Sequence, residues 1–188
     1  MEIRTKTDMI VIHHSASADV SADVIRGWHL ARGWSDIGYH FVVRKDGSIE
    51  NGRAKNLIGA HTMGYNRTTI GICFTGNFDL DQPEPVQLIS AAALIIKLNQ
   101  EYRKKLIISR HCDLVATKCP GKNFDLAALL NLVSKMEAGT MTDEQWMIDI
   151  VIKAQKSGLI KDFHEPQEMA PKWFVLQIAL NILDKLKG

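Results

Sequence analysis

Strands alternating with helices predict an α/β fold, a central mixed β-sheet flanked by helices with a small helical region at the C-terminus. Three observations carry this. Short β-branched apolar runs recur at residues 9–12, 69–74 and 106–108. Longer segments with helical spacing and capping residues lie between them. An Asp46-Gly47 turn joins two further short runs as a hairpin. Such interleaving places helices over the faces of a sheet.

The elements follow in order. Met9-Ile10-Val11-Ile12 reads as a buried strand ending at His13, and Ser15 to Asp19 as a loop. Ser21 is an N-cap for a helix over 22–32 that Gly33 stops, with Val24, Ile25, Trp28 and Leu30 as its apolar face. Residues 38–44 form a strand, Lys45 to Ser48 the hairpin turn, and Ile49 to Arg53 the return. Thr69 to Gly76 is another buried strand, followed by a loop to Pro85. A long helix over 85–102 presents Leu88, Ile89, Ala92, Leu94, Ile95, Ile96 and Leu98 to the core. Leu106 to Ser109 is a short strand leading to His111. Cys119 to Lys122 is a turn, and a last helix of this region runs over 124–137.

Residues 138–141 read as a linker, so the domains are 1–138 and 142–188. Thr142 and Gln145 have capping-box spacing. Helices are predicted over 143–157 and 169–186, with Trp146, Ile150, Val151, Trp173, Phe174, Leu176, Leu180 and Leu183 among their apolar residues. A tail this small makes a poor independent core. It is expected to pack on the first domain or to serve in wall binding or self-association.

The 188 residues are 46% apolar and 23% charged, as expected of a globular chain with a sizeable core. A net charge of +2 is too small to argue for nucleic acid, and the longest basic run, Arg103-Lys104-Lys105, is too short for a nucleic-acid stripe. Three cysteines, Cys73, Cys112 and Cys119, do not describe a disulfide framework and suit a reducing compartment. The first eight residues contain no apolar core of a signal peptide, and no run is long enough to span a membrane. Synthesis in the cytoplasm is expected.

Two segments far apart in the chain supply metal-ligand chemistry. His13 ends the first apolar strand; His111 and Cys119 lie in Arg110-His111-Cys112-Asp113 and Thr117-Lys118-Cys119-Pro120. Two imidazoles and one thiolate suit tetrahedral zinc. Three protein ligands leave a fourth position for water, the arrangement of a catalytic site. A cysteine-protease reading is weaker, because Cys119 precedes a proline and has no helix-start context.

The surrounding words extend this. Ile12-His13-His14-Ser15-Ala16, Gly33-Trp34-Ser35-Asp36-Ile37-Gly38-Tyr39-His40-Phe41, Asp46-Gly47, Gly52-Arg53, Gly59-Ala60-His61, Tyr65-Asn66 and Ile70-Gly71-Ile72-Cys73 precede the two ligand-bearing segments in that order. Over residues 8–137 the chain resembles the zinc-dependent N-acetylmuramoyl-L-alanine amidases of type 2. That family includes phage endolysins and animal peptidoglycan recognition proteins. The resemblance implies His13, His111 and Cys119 as zinc ligands and Tyr39 as a catalytic phenol. His14 is then a packed neighbour. Many phage members carry a lysine two positions before the ligand cysteine; here that position is Thr117, with lysine displaced to Lys118. Register favours Thr117 as the oxyanion donor and leaves Lys118 open. His61, Asn66 and Arg53 are expected in the substrate groove. Asp113 either orients the metal site or is a surface carboxylate, and His29 is structural or surface. The implied activity is hydrolysis of the amide between N-acetylmuramic acid and L-alanine in bacterial peptidoglycan, by an endolysin released through a holin or by lysis. The alternative is a non-catalytic peptidoglycan-binding protein.

Overall fold

The computed structural model describes residues 1–138; the two helices expected over 143–157 and 169–186 lie outside the described residues. Five strands form one sheet: β1 (Met9–His14), β2 (Phe41–Val43), β3 (Ile49–Asn51), β4 (Thr69–Phe74) and β5 (Ile107–Arg110). Their order is β3-β2-β4-β1-β5. Only the β2–β3 hairpin is antiparallel; β2–β4, β4–β1 and β1–β5 are parallel. The sheet is mixed, as expected. Its buried strands read as continuous apolar runs because helices cover both faces.

The alternation of side chains along each strand assigns the faces. Ile10 and Ile12 of β1, with Ile70, Ile72 and Phe74 of β4, join Phe41 and Val43 against α2 (Pro85–Glu101) and α3 (Leu126–Glu137). Val42 and Cys73 face the other way, toward Ala22 and Ile25 of α1 (Ala22–Ala31). Glu84 and Gln87 form a capping box at the start of α2, and the Asp125 carboxylate accepts from Ala128 N at the start of α3. Gly47 takes a φ of +85° in the hairpin turn, which the Asp-Gly pair supplies.

The expected apolar face of α1 needs correction. Ser21 caps it through Val24 N as predicted, but the buried residues are Ala22, Ile25 and His29. Val24, Trp28 and Leu30 are exposed. Positions 22, 25 and 29 form one helical stripe and 24 and 28 an adjacent one, and the helix docks on the first. The strand expected over 38–44 is also shorter. His40 still pairs its N–H with Gly71 O, while Gly38 is held in a loop by Ala60 N.

The loop after β1 is tied down by charge. Asp19 accepts from Arg44 Nε (2.9 Å) and Nη2 (3.1 Å), from Lys45 N and from the Thr75 hydroxyl. Arg44 also holds Glu50 at 2.8 Å, and Glu50 accepts from Ala22 N at the start of α1. Burial alone would raise the Asp19 carboxyl, but these donors outweigh it and bring it down to about 2. A carboxyl lowered on folding adds stability above its unfolded value near 4 and loses it as pH falls toward 2. Denaturant unfolding should therefore show wild type losing more stability between pH 5 and pH 2.5 than Asp19→Asn, with the two converging at the acid end.

Candidate active site

Parallel pairing brings the two histidines together. In β1 and β5 the register runs Met9 with Ile107 to Ile12 with Arg110. The next residues are His13 and His111, so both leave the C-terminal ends of adjacent strands. Their ring centroids are 4.4 Å apart. His13 is in register with Cys73 of β4 and points to the α1 side of the sheet. His14, one residue on, points to the opposite side. There its Nδ1 accepts from Phe78 N at 3.1 Å and its ring lies against Phe78. Period-two alternation thus separates the site histidine from the packed one.

Cys119 returns by a loop. Its carbonyl accepts from Cys112 N at 2.8 Å, and its Sγ lies 3.4 Å from His14 N and 3.7 Å from His13 Nδ1. One ligand atom each from His13, His111 and Cys119 all lie within 4.8 Å of one another. Burial lowers the basicity of His13 strongly, helped by His61, His111 and His14, and burial lowers that of His111. Both rings are neutral near pH 7, with lone pairs to offer. Burial pushes the Cys119 thiol up to about 12, against the opposing pull of His14 N–H. Such a thiol is no nucleophile at neutral pH. A bound cation would deprotonate it outright. The donor set and its spacing fit a divalent zinc-like ion and do not fit a cysteine protease.

Tyr39 flanks this cluster, its ring centroid 5.1 Å from that of His13. Burial first, then Cys73 and Cys119, raise its phenol well above the usual value, so it stays a hydrogen-bond donor. Behind it, Trp34 stacks on His29 at 4.5 Å, and His29 Nδ1 accepts from Gly38 N at 3.0 Å. His29 is therefore a buried structural residue that braces the loop carrying Tyr39. A side chain at Gly38 would meet Ala60 O at 2.3 Å, so only glycine allows that close approach. Thr117 is exposed, and its Oγ1 accepts from Cys119 N at 3.3 Å, which leaves its hydrogen free to donate. Lys118 is exposed beside it.

A family model described as N-acetylmuramoyl-L-alanine amidase matches residues 4–122. The chain belongs to this family. The amidase is 37% identical over 131 residues to the endolysin of Klebsiella phage KP32, covering 65% of this chain and 85% of that protein. It is 34% identical over 138 residues to a peptidoglycan-recognition protein of Drosophila simulans, covering 68% and 72%. Among solved structures it resembles the endolysin N-acetylmuramoyl-L-alanine amidase LysCS of Clostridium intestinale, with a TM-score of 0.66, 37% identity, and coverage of 72% of this chain and 87% of that one. The mixed sheet with flanking helices is that of these neighbours.

The three residues expected in the groove make hydrogen bonds or ring contacts within the chain. Arg53 is 6% exposed, and its guanidinium donates to the carbonyls of Ile37 (2.8 Å), Ile58 (2.8 Å) and Asp36 (3.3 Å). Asn66 uses its Oδ1 to accept from His61 N and Thr62 N. His61 is 8% exposed and lies against His13. Asp113 accepts from Arg110 N, Nε and Nη2, which makes it a surface ion pair rather than an orienting group. Cys73 beneath Tyr39 gives no signal in the sequence, because only the strand register reveals it. Arg53→Ala should strand three carbonyls that flank the Tyr39 loop. We expect a loss of roughly 1–3 kcal/mol in urea unfolding, with Arg53→Lys recovering little because a point ammonium cannot serve three acceptors.

Proposed function

We propose that this amidase is a zinc enzyme that cuts the amide joining N-acetylmuramic acid to L-alanine in peptidoglycan, with His13, His111 and Cys119 as the metal ligands. The observation that carries the reading is the convergence of His13 and His111, at the ends of β1 and β5, with Cys119 from the following loop. When bound, zinc supplies Lewis acidity toward a carbonyl and acidifies water. The chain's own residues do the rest. Tyr39, neutral across the working pH range, donates toward charge developing on the carbonyl oxygen. Thr117 is anchored by Cys119 N–H and offers its hydroxyl hydrogen to the same region. The Thr117 hydroxyl is a weaker electrostatic partner than an ammonium, so more of the oxyanion stabilisation would fall to zinc when it is bound. Gly38, His29 and Arg53 hold Tyr39 in place.

The endolysin relatives support a lytic role at the bacterial wall, after release from the cytoplasm by a holin or by lysis. No helix among the described residues is long and apolar enough to cross a membrane. The competing reading is a peptidoglycan-binding protein without catalysis. It predicts loss of a metal ligand, usually the cysteine, and both Cys119 and Tyr39 stand in the cluster.

The reading is tested on purified peptidoglycan with mass analysis of the products. Stem peptides with free N-terminal alanine should be released, release should stop with chelator, and zinc should restore it. Tyr39→Phe should lower kcat about 100-fold with wall binding retained. Folded, zinc-loaded protein that binds wall and releases nothing would establish the binding reading instead. For residues 142–188 we propose a wall-binding or self-association module, on the strength of their apolar content. Deletion of 140–188 should then reduce pelleting with walls or lower the oligomeric state; unchanged pelleting together with an unchanged oligomeric state would reject it.

A further inference from the structure

His61 lies behind His13, and the two nitrogens of His13 have different neighbours. Nδ1 is 3.7 Å from Cys119 Sγ, within the ligand cluster. Nε2 is 3.0 Å from His61 Nδ1, with the two rings edge to face at 5.1 Å. The contact continues inward. His61 Nε2 is 3.4 Å from Thr69 Oγ1, and the Thr69 hydroxyl donates to Tyr65 O at 2.9 Å. Thr62 Oγ1 sits beside the first link, 3.0 Å from His61 Nδ1 and 3.4 Å from His13 Nε2.

The inner end sets the direction of this chain. A backbone carbonyl only accepts, so Thr69 must donate its hydrogen to Tyr65 O. Thr69 Oγ1 is then the acceptor for His61 Nε2–H. A neutral His61 with hydrogen on Nε2 has a lone pair on Nδ1. That lone pair faces His13 Nε2, which must carry the hydrogen, and His13 Nδ1 is left with its lone pair toward the cluster. The tautomer of His13 is thus dictated from a carbonyl three hydrogen bonds away.

The His61 ring has little freedom to abandon this task. A Cβ at Gly71 would lie 2.6 Å from its Cγ, and one at Gly59 would lie 2.6 Å from its Cδ2. The two glycines make a slot for the ring. Asn66 clamps the backbone at His61 and Thr62, at 2.9 and 2.8 Å. Two glycines, one amide and two hydroxyls are thereby given to orienting one imidazole.

We propose that His61 is a positioning residue which accepts the Nε2 hydrogen of His13 and so commits His13 to presenting Nδ1 to the metal. This rests on the zinc reading above. It replaces a substrate-contacting role for His61 by one exerted through His13.

The test uses the full chain stripped of metal. Zinc is titrated against a chromophoric chelator for wild type, His61→Leu and His61→Asn, and the protonated nitrogen of His13 is read in metal-free wild type by 15N NMR. We expect His61→Leu to weaken zinc binding about 10–100-fold, the usual effect of losing such a partner. His61→Asn, whose Oδ1 replaces Nδ1 as acceptor, should recover most of it, and wild-type His13 should carry hydrogen on Nε2. Unchanged affinity in His61→Leu overturns the proposal alone, as does an asparagine variant no tighter than the leucine one, or hydrogen found on Nδ1. The asparagine variant and the wild-type spectrum decide the matter if leucine prevents folding. A wild-type chain that takes up no zinc overturns the metal reading, and this proposal with it.

Discussion

The parallel pairing of β1 with β5 is the constraint on which the site depends. It places residues almost a hundred positions apart in one row, and the residues just past that pairing are His13 and His111. A slip of one residue would turn His13 to the α2 side of the sheet and bring His14 to the site. The slip is opposed by Ile10 and Ile12, which would leave the core that they fill with Ile70, Ile72 and Phe74. Hydrophobic packing on one face therefore sets the spacing of His13 and His111 on the other.

The site is built in layers of decreasing exposure. Thr117 and Lys118 are exposed, Cys119, His111 and Tyr39 are half-buried, and His13 and His61 are buried. Burial keeps the imidazoles neutral and the phenol protonated, while it holds the thiol protonated unless a cation binds. One physical cause thus prepares lone pairs, a hydrogen-bond donor and a metal-dependent thiolate. The residues behind act on geometry. Arg53 fixes three carbonyls around Tyr39, His29 braces Gly38, and Asn66 clamps the His61 turn.

Family membership and chemistry agree here, and the matched region contains His13, His111 and Cys119. The match over 4–122 draws on the whole sheet. The chemistry rests on a handful of side chains at its C-terminal edge, where parallel strands leave loops free to vary. In this chain the loop before Cys119 carries the exposed Thr117 and Lys118. α3, which packs beside α2 beyond the matched region, closes the core on the face away from the site.

Local chemistry sufficed for much of this. Apolar periods located the strands of the parallel core, Ser21 and Gly33 bounded α1, and Asp46-Gly47 marked the hairpin, because each depends on neighbours within a few residues. The candidate donors were legible through the short motifs around them, while His14, His29 and Cys73, the same side-chain types, are packed in the fold. Contacts between distant segments were not legible. Which stripe of α1 is buried depends on the sheet beneath it. Arg53 reads as a groove residue in sequence, and its guanidinium is found on the carbonyls of Ile37 and Ile58, which only the fold brings together. His61 reads as a groove residue in sequence, and only the fold sets it against His13. The sequence by itself determined the elements and the donors; tertiary structure decided their partners, because strand register, not spacing along the chain, sets which side chains share a face.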